Sequence, residues 1–422
     1  MPPKAQTIFV QIASYRDPQL IITIEDMLLN AKRPQNLRLG ICRQYHPDDG
    51  FDNIDQYRED KRFRVKDVLY TETKGVCWAR NEVQQLYEGE MYTLQLDSHM
   101  RFAKDWDVTL IAMLNQLQDA GYAKPLLTAY ASSYDPSNDP DGRILEPWRM
   151  TFDRFIPEGA VFFIPETIPN WENIDAPVPA RFYSAHMTFT LGEFSNEVQH
   201  NPEYYFHGEE ISIAVRAYTH GYDLFHPHRV VIWHEYTRKG RTKHWDDDEQ
   251  WGHRNNKSHL TNRKLFGMDG EAQAGHDGKY GFGNVRTLQD YEAYAGLSFK
   301  NRSIQQYTLD KEYPPNPGPK ELGSVEAWEN SFIPFFKHCI DINFNDVPEN
   351  DYNFWAVAFH DKNEKTMYRR DADKAEIERM KNDPDGYCKV WREFQTKIKP
   401  AYWVVWPHSE SKGWCRRLTG NL

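Results

Sequence analysis

The first third of the chain alternates two hydrophobic patterns. Short runs rich in apolar and β-branched residues read as strands: "TIFVQIAS", nearly continuous over residues 7–12, then "NLRLGICRQ", "FRVKDVLYT", "MYTLQLD" and "PLLTAYAS". Between them, apolar residues recur at helical spacing. Ile21, Ile24 and Leu28 do so in "LIITIEDMLLNA"; Val76, Val83 and Leu86 do so in "GVCWARNEVQQLY". A further helix, "DVTLIAMLNQLQDAG", closes on Gly121 as its cap. Strands alternating with such helices predict an α/β fold with a mostly parallel, Rossmann-like sheet and helices on both faces. Ligands of such sheets gather at the carboxyl ends of the strands. Two polar clusters fall at such ends: "ASYRD" (residues 13–17) and Asp97-Ser98-His99.

From about Glu146 the pattern changes. "GAVFFIPET", "RFYSAHMTFTLGEF" and "RVVIWHEY" read as strands. "HGEEISIAVRAYTHGY" reads as a helix with Ile211, Val215 and Tyr218 on one stripe, ended by Gly221. Residues 237–286 are polar and charged with little periodicity, which predicts a long functional or mobile loop. Pro314, Pro315, Pro317 and Pro319 exclude helix and central strand, so residues 306–320 read as a linker. Beyond it, "CIDINF", "FWAVAFHD", "KTMYRRDA" and "AYWVVWPH" alternate like strands, with one helix at "ADKAEIERMKN". The expected organisation is a domain over 1–305, the linker, and a small β-rich accessory domain over 321–422. The aromatic segment "WVVWPHSESKGW" suits either a core or a platform on which sugar rings stack.

The 422 residues, 40% of them hydrophobic, with 13 Trp, 24 Tyr and 23 Phe, exclude a disordered chain. A net charge of -11 speaks against nucleic acid as partner. No apolar run reaches the length of a membrane span. The first residues lack the apolar core and cleavage site of a secretory signal. Five scattered cysteines form no Cys-x-x-Cys pair, which excludes a zinc ribbon and suits a reducing, cytoplasmic setting. There is no P-loop, no dinucleotide fingerprint and no Gly-x-Ser-x-Gly elbow.

The candidate chemistry lies in four pieces. In extended backbone Asp97 and His99 point the same way, and a carboxylate with an imidazole suits Mn²⁺ or a similar divalent ion. The same pair also serves as a strand-end cap or a mutual hydrogen bond. His234, ending the strand "VVIW", is either an edge histidine or a third ligand completing a half-shell open to phosphate oxygens and water. Glu209 and Glu210 open a helix, where its dipole favours negative charge; alternatively, one of them faces a polar substrate together with His207. Arg80 near a helix start is placed to meet a carboxylate or phosphate, or to form a surface ion pair.

Taken in order, "QIASYRD", "KGVCWARN", "LQLDSHMRF", "FHGEEISIAVRAYTHGYDLFHP", "WHEYTRKGRTKHW" and "YEAYAGLSF" resemble a GT-A glycosyltransferase. More narrowly, the chain resembles the cytoplasmic polypeptide N-acetylglucosaminyltransferases that modify hydroxyproline. A looser likeness is to the mucin-type polypeptide GalNAc-transferases, with Asp97-Ser98-His99, Gly208-Glu209-Glu210 and His234 in corresponding order and Glu210 standing where those carry Asn. The resemblance implies a UDP-sugar donor, UDP-GlcNAc, and retention of anomeric configuration. It implies Mn²⁺ on Asp97, His99 and His234, and a donor site drawing on Ser14, Tyr15, Arg16, Arg80, Asp97, Ser98, His207, Arg238 and Lys243. Glu209, Glu210 and Asp97 are the expected catalytic carboxylates. Arg238, Arg241, Lys243 and His244 would close over the donor. The implied acceptor is a hydroxyl of a protein or a glycan. Two other readings remain: a sugar-binding scaffold on an inactive transferase fold, and an inverting transferase with Glu210 as base.

Overall fold

The computed structural model describes residues 6–156, 158–238, 240–271, 278–381 and 386–422. Residues 1–5, Lys239, residues 272–277 in the expected loop, and Asn382 at the expected end of the last helix lie outside these. The chain forms two compact units, residues 1–300 with 307–322, and residues 301–306 with 323–422. Among the described residues no helix is long and apolar enough to cross a membrane.

In the first unit the strands and helices run β1 (Ile8–Tyr15), α1 (Leu20–Asn30), β2 (Leu37–Tyr45), β3 (Phe63–Leu69), α2 (Val76–Gln84), β4 (Tyr92–Asp97), β5 (Met100–Phe102), α3 (Trp106–Asp119), β6 (Pro125–Thr128), β7 (Ser132–Ser133), β8 (Trp148–Phe155), β9 (Val161–Thr167), β10 (Val178–Pro179), β11 (Met187–Leu191), α4 (Phe194–Glu197), α5 (Glu209–Thr219), β12 (Asp223–His226), β13 (Ile232–His234), α6 (His244–Asp247), α7 (Trp251–Phe266) and α8 (Leu288–Ala295). The main sheet has the order β10-β12-β6-β11-β4-β1-β2-β3. β3, β2, β1 and β4 form a parallel block. β11 runs antiparallel between β4 and β6, so the sheet is mixed.

Alternation along β1 explains the two covered faces. Ile8, Val10 and Ile12 join a core with Leu20, Ile24 and Met27 of α1 and Trp106, Leu110 and Leu114 of α3. Phe9 points the other way and packs with Ala79 and Val83 of α2. This is the α/β, Rossmann-like arrangement expected from the sequence. The parallel block places the carboxyl ends of β1 and β4 side by side, with Ala13 paired to Asp97.

A second, three-stranded sheet, β5-β13-β7, sits just beyond β4. β13 pairs antiparallel with β5 in a register that sets His234 opposite Met100. The Glu235 amide donates to the carbonyl of His99 at 3.2 Å. Strand pairing thus carries His234 to the end of β4.

Two expectations are corrected. Residues 237–286 are not an irregular loop: they contain α7, sixteen residues long. Its buried face is largely polar (Ser258, His259 and Asn262 beside Leu265 and Phe266), so no apolar stripe announces it. Those polar groups are paired: Asn262 donates to the Gly159 carbonyl at 2.7 Å and accepts from the Tyr204 hydroxyl at 2.9 Å. The segment read as a linker is built into the first unit. Asn316 is buried there and accepts from Arg181 at 2.6 Å while donating to the Thr308 hydroxyl at 2.8 Å.

The second unit is β-rich. Strands Phe335–Asn343 and Tyr387–Gln395 pair over nine residue pairs, and a six-stranded sheet is centred on Tyr352–His360 and Tyr402–Ser409. Trp355, Val357, Phe359, Val390 and Val405 form its core with Ile377 of helix Lys374–Lys381. The segment "WVVWPHSESKGW" is part core and part surface. Val404 and Val405 are buried, whereas Trp406 and Trp414 are 38% and 48% exposed and lie against each other at 4.5 Å.

Candidate active site

The ends of β1, β4 and β13, the start of α2 and the start of α5 open onto one cleft of about 660 Å³. At its floor β4 ends on Asp97, and the chain bends through Ser98 and His99 into β5. The side chains of Ser98 and His99 both bond one carboxylate. Asp17, 3% exposed, accepts from the Ser98 hydroxyl at 2.8 Å and meets His99 Nδ1 at 2.7 Å. That bond turns His99 Nε2 back toward Asp97. A hydrogen bond from the rear nitrogen to a carboxylate is the arrangement that orients a ligating imidazole.

His99 Nε2 lies 3.0 Å from His234 Nε2, and His234 Nε2 lies 3.2 Å from Asp97 Oδ2. His99 Nε2 and Asp97 Oδ2 are 3.9 Å apart. Ligands on one face of an octahedral ion about 2.1 Å away sit roughly 3 Å from each other. With the His99 proton on Nδ1 toward Asp17, and the His234 proton moved from Nε2 to its unpartnered Nδ1, the facing nitrogens and the carboxylate oxygen would present lone pairs to one point. A shared cation satisfies all three. Burial, followed by the charge of His99, keeps His234 neutral down to about 4, despite its bond to Asp97. Burial alone would raise Asp97, but the bond from His234 and the Arg80 charge hold it well below the usual carboxylate range. Both are therefore in the ligating state at neutral pH. The donor set fits a divalent ion.

Behind the floor lies a buried ion-pair network. Arg80, projecting from α2, donates through Nη2 to Asp97 at 2.8 Å and through Nη1 to Glu209. The Cys77 thiol, three residues earlier on the same helix, donates to the other Glu209 oxygen. Burial would raise Glu209, but Arg80, with bonds from His200 and Cys77, brings it to about 2. Its neighbour Glu210 behaves oppositely. Burial, with the adjacent Glu209 charge, pushes it up to about 7, although the Ala185 amide at 3.0 Å and the Tyr130 hydroxyl at 3.1 Å both donate to it. Adjacent residues of one helix turn thus carry carboxyls with well-separated titrations.

Most residues singled out in the sequence line the cleft: Tyr15, Arg80, Asp97, Ser98, His99, His207, Glu209, Glu210, His234, Arg238 and Lys243. Ser14 and Arg16 do not line it. Strand alternation turns Ala13 and Tyr15 to the cleft and buries Ser14 on the opposite face. Arg16 turns aside to Asp49 at 2.7 Å and Asp247 at 2.8 Å. Arg80 reaches the cleft, but its terminal nitrogens serve Asp97 and Glu209. One side of the cleft is aromatic, with Arg238 lying over the rings of Phe206 and Trp245 at 5.9 and 5.4 Å. Asp17, His186, Tyr130 and Tyr236 escaped the sequence reading. Asp17 stands in the quoted "ASYRD", two residues beyond the strand end; His186 shows no signal before strand pairing is known. The segment around α6 covers the β1 end. Tyr15 donates to Asp247 at 2.6 Å, and His244 meets the hydroxyls of Thr73 and Tyr205 at 2.8 and 2.9 Å.

Residues 7–58 and 51–301 match the family model described as Glycosyltransferase (GlcNAc). The chain belongs to this family. No curated protein matches the sequence. Among solved structures, GalNAc-T7 with UDP, GalNAc and Mn²⁺ shares 13% identity at a TM-score of 0.47, over 73% of this chain and 57% of that one. S. aureus TarS residues 1–349 with UDP-GlcNAc shares 12% at 0.37, over 57% and 61%. The mannosyltransferase PcManGT from Pyrobaculum calidifontis, with GDP-Man and Mn²⁺, shares 10% at 0.37, over 57% and 59%. The chain thus spans less than two thirds of the length of each of those three.

Proposed function

We propose that the enzyme transfers N-acetylglucosamine from UDP-GlcNAc to a hydroxyl of a protein or glycan, with retention of anomeric configuration and with help from a divalent ion such as Mn²⁺. The observation that carries this reading is the convergence of Asp97, His99 and His234 on one point of the cleft floor, beside the buried Arg80–Glu209 pair. A bound ion would supply positive charge against a leaving diphosphate. Arg80 fixes Asp97 and Glu209 in place, and Glu209, ionised throughout the working range, orients donor or acceptor hydroxyls. Lys243 and Arg241 add positive charge at the donor end; Arg241 is itself held by Glu235 at 2.7 Å. Residues 240–250 would close over the donor and limit water, whose attack would waste the activated sugar. Phe162, Phe206 and Trp245 offer flat faces to an acceptor. Retention rests on the resemblance to retaining families. Residues 1–305 carry the catalysis in this reading and 321–422 are accessory. Five free thiols accord with a cytoplasmic setting.

The test is UDP release across a panel of UDP-sugars, with and without Mn²⁺, on the wild type and on Asp97→Ala. Turnover is expected with UDP-GlcNAc and Mn²⁺ alone, and is lost with chelator and in Asp97→Ala. Full activity in Asp97→Ala would sink the metal assignment. Glu210 at about 7 favours a second reading, in which it is the base of an inverting transfer. NMR of the product separates the two: an α-linked product supports retention and a β-linked product supports inversion.

A further inference from the structure

The two histidines at the cleft floor are held differently. His99 is oriented by its Nδ1 bond to Asp17. The Nδ1 of His234 is buried and has no hydrogen-bond partner among the described residues. Its ring is instead packed between aromatic faces. His186 lies flat against it, centroids 4.3 Å apart and planes at 16°. Tyr130 lies on the far side of His186 at 4.7 Å and 28°. Tyr236 meets the His234 ring at 60° and 4.3 Å.

The column is fixed at its base. β11 runs antiparallel to β4 with Met187 opposite Leu96, so His186 is the next residue outward, level with Asp97. Glu210 accepts from the Tyr130 hydroxyl and from the Ala185 amide, tying the outer ring and the backbone beside His186 to the start of α5. The Tyr236 hydroxyl donates to the Ala131 carbonyl at 2.7 Å and stands 3.3 Å from His186 Nδ1, which sets the His186 ring in its plane. Offset or parallel stacking of flat rings restricts rotation about χ2, which is the freedom a ligand imidazole must lose.

We propose that His186 is a positioning residue for the metal centre, holding His234 in its ligating orientation by face-to-face stacking, the task the Asp17 hydrogen bond performs for His99. This rests on the reading of Asp97, His99 and His234 as metal ligands. Outer partners of ligating histidines typically change metal affinity 10- to 100-fold when removed.

The test is Mn²⁺ binding to the full-length chain without donor or acceptor, followed by electron paramagnetic resonance of the unbound ion, with Co²⁺ absorption as a report on ligand geometry. Wild type, Asp97→Ala, His186→Ala and His186→Phe are compared. Expected are measurable binding in the wild type, none in Asp97→Ala, affinity at least tenfold weaker in His186→Ala with an altered Co²⁺ spectrum, and recovery to within about threefold in His186→Phe, which keeps the ring face and loses both nitrogens. His186→Leu replaces His186→Ala if the latter does not fold. Wild-type affinity in the ring-less variant overturns the proposal, and so does a His186→Phe as weak as His186→Ala. Failure of the wild type to bind Mn²⁺ removes the metal reading itself, and this inference with it.

Discussion

Replacing Arg80 by methionine keeps the length of the side chain and deletes its charge. Buried Glu209, 7% exposed, and partly buried Asp97 then lose their shared cation, itself 5% exposed. Removing one partner of a buried ion pair costs about 3–5 kcal/mol, because the survivor stays buried and uncompensated. The depressed titration of Glu209, to which Arg80 contributes with Cys77 and His200, is of the same order. A carboxyl held at about 2 against an ordinary value of 4.5 contributes about 3 kcal/mol at neutral pH, at about 1.4 kcal/mol per pH unit. The folded value is depressed, so this stability is fully present above pH 4.5 and is lost as pH falls toward 2. The deficit of Arg80→Met against wild type is therefore greatest near neutral pH and smaller in acid, by roughly 1 kcal/mol at pH 4. Urea unfolding of both proteins in chelator, at pH 7.5 and pH 4, measures it. A deficit below about 1 kcal/mol at pH 7.5, or one that is as large at pH 4, would refute the assignment of Arg80 as the cation that keeps Glu209 ionised.

Further outcomes are expected at three other sites. Asp17→Asn weakens Mn²⁺ binding about 10-fold or more by freeing the His99 ring, and a titration showing unchanged affinity would count against the role given to Asp17. Gly75, at φ +108°, has the Tyr205 carbonyl oxygen only 2.9 Å from where a Cβ would sit, so Gly75→Ala costs at least about 2 kcal/mol in thermal unfolding and displaces the α2 start that carries Arg80. Trp355 is wholly buried in the second unit; Trp355→Ala costs about 3–5 kcal/mol in the transition of that unit, read by calorimetry, and leaves Mn²⁺ affinity unchanged.

The α/β frame was legible because β1, β2 and β4 are buried on both sides and rich in apolar residues, and because apolar residues recur at helical spacing in α1 and α3. Asp97, His99 and His234 were legible as strand-end polar residues. What the sequence hides are decisions made by pairing and by polar burial. Ser14 and Arg16 sit beside Tyr15 in the sequence, yet alternation and the turn at Arg16, φ 45°, send them elsewhere. His186 becomes significant only through the β4–β11 register. α7 buries Ser258 and Asn262 against hydrogen-bond partners far away in the chain, which no hydrophobic period reports. The prolines at 314–319 mark backbone that cannot join a helix, but a buried Asn316 decides that the segment packs against the body of its unit.

The register of β13 on β5 would also make cation affinity a report on long-range pairing. Asp97 and His234 stand 137 positions apart. A growing polypeptide that has delivered β4 and His99 owns two of the three proposed donors, and acquires the third only after β13 has been synthesised and zipped onto β5. If these residues hold an ion, its binding would discriminate chains that have paired β13 from every shorter intermediate, and would add to their stability in proportion to the logarithm of ion concentration over the dissociation constant. Mn²⁺ uptake would in that sense be a chemical checkpoint on long-range β pairing, readable on nascent or truncated chains without any sugar present.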